Sequence, residues 1–321
     1  MNPPDRKGLQ ARFASALGKA FGKSLSTVVF LLKIMIPTSL IVALLGWSGL
    51  LAILARYLSP IMRLVGLPGE AALVFISGAL LNNYSAIAVM GSLVLSLRDA
   101  TILAVMCLIA HNLIVETAVM KSAGSSALKM ALLRLGTALV AAFLLNLLMP
   151  KALADTAFSS GLAARQLPFW SMLGSWGFST LKLVGKITLF VFGIMIVQAL
   201  FEEFRVMDFL SRILAPFMKF FGLPAEASFL WIVINVVGYT YGAGIIKAEY
   251  ESGRMKKQDG DLFNHHAAIC HSLVEDTILY MALSVPLFWI IVPRLGLAIV
   301  VVWLERLRRG SFKRSFRAGT V

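Results

Sequence analysis

Histidine and carboxylate side chains recur in two matched clusters, each inside an apolar stretch: His111-Asn112-Leu113-Ile114-Val115-Glu116-Thr117 and His271-Ser272-Leu273-Val274-Glu275-Asp276-Thr277. Imidazoles and carboxylates are the groups of proton relays and transition-metal sites, and ionisable residues at membrane depth mark ion or proton pathways. Within one cluster the helical spacing works against a shared ligand. Asn112 and Glu116 lie four apart on one face, as do Ser272 and Asp276, and His271 and Glu275, so each pair can also simply bond internally. His111 and Glu116, five apart, diverge by about 140° on an ideal helix. The clusters therefore act together only if the two copies meet across a pseudo-twofold axis. Glu116, Asp276, His111 and His271 are then candidates for proton or ion coupling. As a metal site the ligands would be His111, Glu116, Cys270, His271 and Asp276, although none has the short spacing of a dedicated motif. Cys270-His271 is the nearest approach to a catalytic dyad, but helix neighbours point about 100° apart, so no enzymatic activity is expected.

A second matched pair of polar groups interrupts apolar segments. Asn82, Asn83, Tyr84 and Ser85 follow Leu80-Leu81, and their equivalents by offset are Gly238, Tyr239, Thr240 and Tyr241. Amides, hydroxyls and a flexible glycine at a broken helix offer donors and acceptors that replace a solute's hydration. Capping of the freed half-helices is the competing use. Its recurrence in both halves favours solute binding, by Asn82, Asn83, Tyr84, Ser85, Tyr239, Thr240 and Tyr241.

The elements that must position these residues are themselves duplicated. Leu58-Ser59-Pro60-Ile61-Met62-Arg63 and Gly66-Leu67-Pro68-Gly69-Glu70-Ala71 return 156 residues later as Leu214-Ala215-Pro216-Phe217-Met218-Lys219 and Gly222-Leu223-Pro224-Ala225-Glu226-Ala227. His111 returns 160 residues later, as does Arg134-Leu135-Gly136 at Arg294-Leu295-Gly296. The chain divides into a basic amphipathic segment (1–24), a first repeat (25–150), a connector (151–179), a second repeat (180–305) and a basic tail (306–321).

Hydrophobic residues make up 59% of the chain and charged ones 14%, which excludes an ordinary soluble domain. Apolar runs near 25–51, 100–121, 128–149, 183–201, 263–284 and 286–305 are long enough to cross a bilayer. The fold expected is all-α and polytopic: two inverted repeats, each with three crossings and one re-entrant hairpin. Through-going interrupted segments would instead give eight crossings. The hairpin reading keeps Lys121, Lys129, Arg134, Arg205, Arg212 and Lys219 in the cytoplasm, as the positive-inside tendency asks. A net charge of +14 carried at the ends and between apolar runs points to anionic lipid headgroups rather than nucleic acid. Cys107 and Cys270 lie in apolar runs and indicate no disulfide. His265 and His266, after a charged loop, read as interfacial.

The Gly-Leu-Pro-x-Glu-Ala element, the Asn-Asn-Tyr break and the His-Asn-Leu-Ile-Val-Glu-Thr segment with its echo resemble the Gate, or nucleoside-recognition, domain family of bacterial membrane proteins. That domain also occurs in the membrane part of the ferrous-iron transporter B family, in the spore maturation proteins A and B, and in relatives of concentrative nucleoside transporters. The resemblance spans roughly 28–148 and 180–304, two Gate units. It implies a transport-type core with paired hairpins in the bacterial inner membrane, and the basic clusters at both ends place both termini in the cytoplasm. Together with the polar breaks in both repeats, the function expected is secondary transport of a small, nucleoside-like solute or an ion. The alternatives are a divalent-metal permease, or a non-transporting scaffold that binds a partner membrane protein through the Lys247–Asp261 loop. No cofactor is expected, and a homo-oligomer is compatible with the reading.

Overall fold

The computed structural model describes residues 6–160, 167–239 and 256–318. The first half runs α1 (Arg6–Trp47), α2 (Leu50–Leu64), α3 (Ala71–Leu80), α4 (Asn83–Ser92), β1 (Val94–Ser96), α5 (Leu97–Ala110), α6 (Leu113–Ser122), α7 (Ala127–Leu148) and β2 (Ala157–Ser160). The second runs α8 (Phe169–Glu203), α9 (Val206–Leu214), α10 (Ser228–Val236), α11 (Lys257–Ile269), α12 (Glu275–Met281) and α13 (Leu287–Ala318). Helix for helix the halves correspond, α1 with α8 through α7 with α13. The counterpart of α4 falls largely outside the described residues. The short antiparallel ribbon of β1 and β2 (Val94 opposite Ser160) is the only departure from an all-α architecture among the described residues.

Among the described residues, five helical stretches are long and apolar enough to cross a membrane: Gln10–Trp47, Leu97–Ser122, Ala127–Leu148, Phe169–Glu203 and Leu287–Gly310. Their outward faces carry Leu128, Leu132, Leu148, Leu181 and Leu189 exposed, a girdle that is stable against lipid and not against water.

α1 is one uninterrupted helix about 63 Å long, roughly twice the hydrocarbon thickness. The segment read from sequence as a separate surface helix over 1–24 is therefore, where described, the leading part of this rod. The reason is packing: Ala16, Ala20, Ser24, Val28 and Met35 form a buried stripe at helical spacing that lies along α8. Likewise α8 begins inside the expected connector, at Phe169, and α13 continues through the basic tail to Ala318.

α1 and α8, the equivalent first helices of the two halves, run antiparallel. Arg12 Nε lies 2.7 Å from Glu203 Oε1, the rings of Phe21 and Phe192 are 5.3 Å apart, and those of Trp47 and Phe169 5.2 Å apart. Between them Trp176 Nε1 donates to Ser39 Oγ at 3.3 Å.

Behind this pair lies a densely packed centre. Every residue of α5 from Ala100 to Ala110 is buried, as is α11 from Leu262 to Ile269. α5 packs on α3, α7, α11 and α13, and α11 on α5, α7 and α13. Both halves enter their hairpin region through the same turn. Leu67 N–H donates to the Met62 carbonyl at 3.0 Å with Gly66 at φ 74°, and Leu223 N–H donates to the Met218 carbonyl at 2.9 Å with Gly222 at φ 72°. This six-to-one bond closes a helix end and needs a left-handed residue, which is why glycine stands at both places.

Candidate functional site

α3 and α4 pack side by side and meet at a two-residue link, Leu81 and the extended Asn82. Asn82 Oδ1 accepts from the Ser85 N–H at 2.9 Å and so caps α4. Gly78 lets this hairpin sit on α5: a β-carbon there would fall 2.9 Å from Cys107 Sγ.

A second break appears where the sequence reading placed unbroken crossings over 100–121 and 263–284. α5 stops at Ala110, His111 is extended, and Asn112 takes a left-handed φ of 47° before α6 restarts. The Asn112 N–H donates to the Gly78 carbonyl at 2.9 Å. The second half repeats this geometry: α11 stops at Ile269, Ser272 has φ 50°, and its N–H donates to the Ile234 carbonyl at 2.9 Å. The freed backbone groups at each break thus find partners on the neighbouring element, as buried donors must.

The break overturns the expected divergence of His111 and Glu116. With the helix interrupted between them, His111 Nε2 lies 3.1 Å from Glu116 Oε1, and 3.6 Å from Asp276 Oδ2 of the other copy. His271 Nε2 lies 3.3 Å from Glu116 Oε2, and the imidazole centroids are 5.1 Å apart. All four residues are buried. His111 and Glu116, which would miss each other on one continuous helix, meet because the helix breaks between them, and the two copies join because their breaks face one another.

Arg134, read from sequence as a cytoplasmic charge, is fully buried at this centre. Its Nε donates to the Ile109 carbonyl at 2.7 Å and its Nη2 to the His111 carbonyl at 2.8 Å, while Nη2 also lies 2.7 Å from Glu116 Oε2. Arg294, its equivalent and also fully buried, donates from Nη2 to the His271 carbonyl at 2.5 Å. Each guanidinium satisfies carbonyls left open where a helix ends, which attract a cation. Both arginines escaped assignment in the sequence, although their recurrence at the offset of the histidines was the available signal. His265 and His266, expected at the interface, are buried in α11, where His266 Nε2 accepts from Trp231 Nε1 at 2.9 Å.

A cleft of about 610 Å³ opens onto this centre. Asn82, Asn83, Tyr84, His111 and Glu116 line it from the first half, and Tyr239 and Asp276 from the second. The two halves bond to each other here: Tyr84 Oη donates to Glu275 Oε1 at 3.0 Å, and the buried Tyr280 Oη to Asn83 Oδ1 at 3.3 Å. Tyr239 Oη donates to Asn264 Oδ1 at 2.8 Å. Lys23 and Gln198 close the side formed by α1 and α8, and a neighbouring pocket of about 340 Å³ continues from them toward Lys19 and Glu202. Of the expected solute contacts, Ser85 does not line the cleft, because its hydroxyl is turned to Asn82 Oδ1 at 3.2 Å. Thr240 and Tyr241 lie outside the described residues. Cys270 is buried outside the group of His111, Glu116 and His271, whose ligand atoms lie within 4.8 Å of one another.

These features define a polytopic α-helical membrane protein with a polar centre between two related halves. A family model described as nucleoside recognition (Gate) matches residues 28–127. The chain is similar to the "Uncharacterized membrane protein YvoD" of Bacillus subtilis (strain 168), at 30% identity over 272 residues, which cover 84% of this chain and 87% of that protein. The chain belongs to the Gate family. No solved structure matches it.

Proposed function

We propose that this chain is a secondary transporter of the bacterial inner membrane, with both termini cytoplasmic, that moves a small solute, nucleoside-like or ionic, between two inverted repeats. Each repeat has three crossings and one re-entrant hairpin. The antiparallel run of the equivalent helices α1 and α8 supports the inversion. The observation that carries the reading is the meeting of both copies' breaks at one polar cleft of about 610 Å³. That size lies within the roughly 300–1,000 Å³ usual for small-molecule sites.

Asn83, Tyr84 and Tyr239 contact the solute in this scheme. The Asn83 Nδ2 donor is buried without a hydrogen-bond partner among the described residues, so it is available to a carbonyl or hydroxyl of the cargo. Glu116 and Asp276, with His111 and His271, hold the coupling proton or cation. Alternating access follows if the repeats exchange conformations about this fixed centre.

The test is uptake by proteoliposomes carrying the purified chain, screened with nucleosides and divalent cations. Uptake that Asn83→Ala abolishes while expression and melting are retained supports the reading. A chain that moves no candidate solute, with Asn83→Ala and Tyr239→Phe acting only through stability, is a scaffold instead.

A further inference from the structure

We propose that His111, His271, Glu116 and Asp276 bind a divalent transition-metal cation. The assignment deepens the cation-coupled reading of the same cleft by naming the class of ion.

The imidazole tautomers carry the argument. His111 Nδ1 lies 3.0 Å from the Cys107 carbonyl oxygen, and His271 Nδ1 lies 2.7 Å from that of Ala267. A carbonyl only accepts, so each Nδ1 holds a hydrogen, and whenever the ring is neutral its Nε2 lone pair turns inward. A histidine anchored through one nitrogen and ligating through the other is the usual arrangement at metal sites. The two Nε2 atoms then face carboxylate oxygens, and acceptors converge from both halves. His271 Nε2 is fully buried and has no hydrogen-bond partner among the described residues. Arg134 neutralises one of the two carboxylates, so the second, beside two imidazole nitrogens, leaves a place for one further cation or an added proton.

The spacing selects the metal. Ligands at bond lengths near 2.0–2.2 Å around a tetrahedral ion sit about 3.3–3.6 Å from one another. His111 Nε2 stands 3.1 Å from Glu116 Oε1, His271 Nε2 3.3 Å from Glu116 Oε2 and Asp276 Oδ2 3.6 Å from His111 Nε2. The ligand atoms of His111, Glu116 and His271 lie within 4.8 Å of one another, a core that Asp276 joins as the fourth ligand by a small movement on binding. Two imidazoles and two carboxylates suit zinc, ferrous iron, manganese or cobalt, whereas magnesium and calcium prefer all-oxygen sites. Arg134 Nη2 holds Glu116 Oε2 at 2.7 Å, which orients the carboxylate and leaves Oε1, 3.1 Å from His111 Nε2, for the ion. The resulting site is weaker than a closed structural one, as suits an ion that must leave. His111, Glu116 and Asp276 all line the cleft, which supplies the entry path. The other His and carboxylate group, Asp261, His265 and Glu305, is already neutralised by Arg308, Arg309 and Lys129 and does not compete for this role.

The test uses the full chain in detergent, stripped with chelator and titrated with Co²⁺ alone. The expected result is one Co²⁺ per chain, with visible d–d bands of tetrahedral coordination that Zn²⁺ displaces and Mg²⁺ does not. His271→Ala and Asp276→Asn each weaken binding by at least about tenfold. Should His271→Ala fail to fold, Asp276→Asn, which keeps shape and removes charge, decides. Absence of a cobalt spectrum in the parent chain, or binding unchanged in a folded variant, overturns the proposal and leaves a proton at this centre. Solute uptake without metal binding overturns this inference alone. Metal binding by a chain inert toward every solute and cation in proteoliposomes overturns the transport reading alone.

Discussion

The two copies of the broken helix share backbone geometry and differ in how they hold their acids. In the first half Arg134 clasps the Ile109 and His111 carbonyls and Glu116 together. In the second, Arg294 reaches only the His271 carbonyl, and its Nε and Nη1 have no hydrogen-bond partners among the described residues. Asp276, one methylene shorter than Glu116, leans across to His111 instead. One half is closed on its own guanidinium and the other is drawn toward its neighbour. Two equivalent units held in unequal states are what a molecule needs if it works by exchanging them.

The sharpest way to break this comparison is to remove each arginine. Arg134→Leu strands a buried carboxylate and two carbonyls, so a loss of about 3–5 kcal/mol is expected, read as a large fall in melting temperature in detergent. Arg294→Leu strands a single carbonyl acceptor, and about 1–3 kcal/mol is expected. Equal losses would mean that the halves are equally closed.

Gly78→Ala probes the tighter hairpin. The new methyl meets Cys107 Sγ at 2.9 Å and Ala86 Cβ at 3.2 Å, so roughly 1–3 kcal/mol is expected. Adding Cys107→Ala should return part of that loss. The equivalent position in the second half carries Ile234, fully buried, so no such close approach is made there.

Asp276→Glu sharpens the comparison from the other side by supplying the missing methylene. It should reach Arg294, leave His111 and favour the closed state of the second half. Labelling of a cysteine introduced at position 83, in a background without Cys107 and Cys270, should then slow by roughly tenfold, about 1.4 kcal/mol of population shift. The smallest effect is expected at the exposed Arg12–Glu203 pair, where Arg12→Ala should leave the melting temperature unchanged.

The order of residues alone established the helical membrane character, since no soluble core accommodates so many apolar runs, and it set the duplication that makes His111 answer His271. It also placed the first hairpin break at Asn82, because a run of amides and a hydroxyl cannot continue through lipid without a partner. Tertiary contact decided the rest. The break at His111–Asn112 leaves little local signal, because its backbone donor is satisfied by Gly78, some 34 positions away in the chain. Arg134 reads as a surface charge until the carbonyls of a broken helix end are seen beside it. Periodicity reports which residues share a face of one helix. Where a helix stops, and what then fills its open end, depends on groups that only folding brings near.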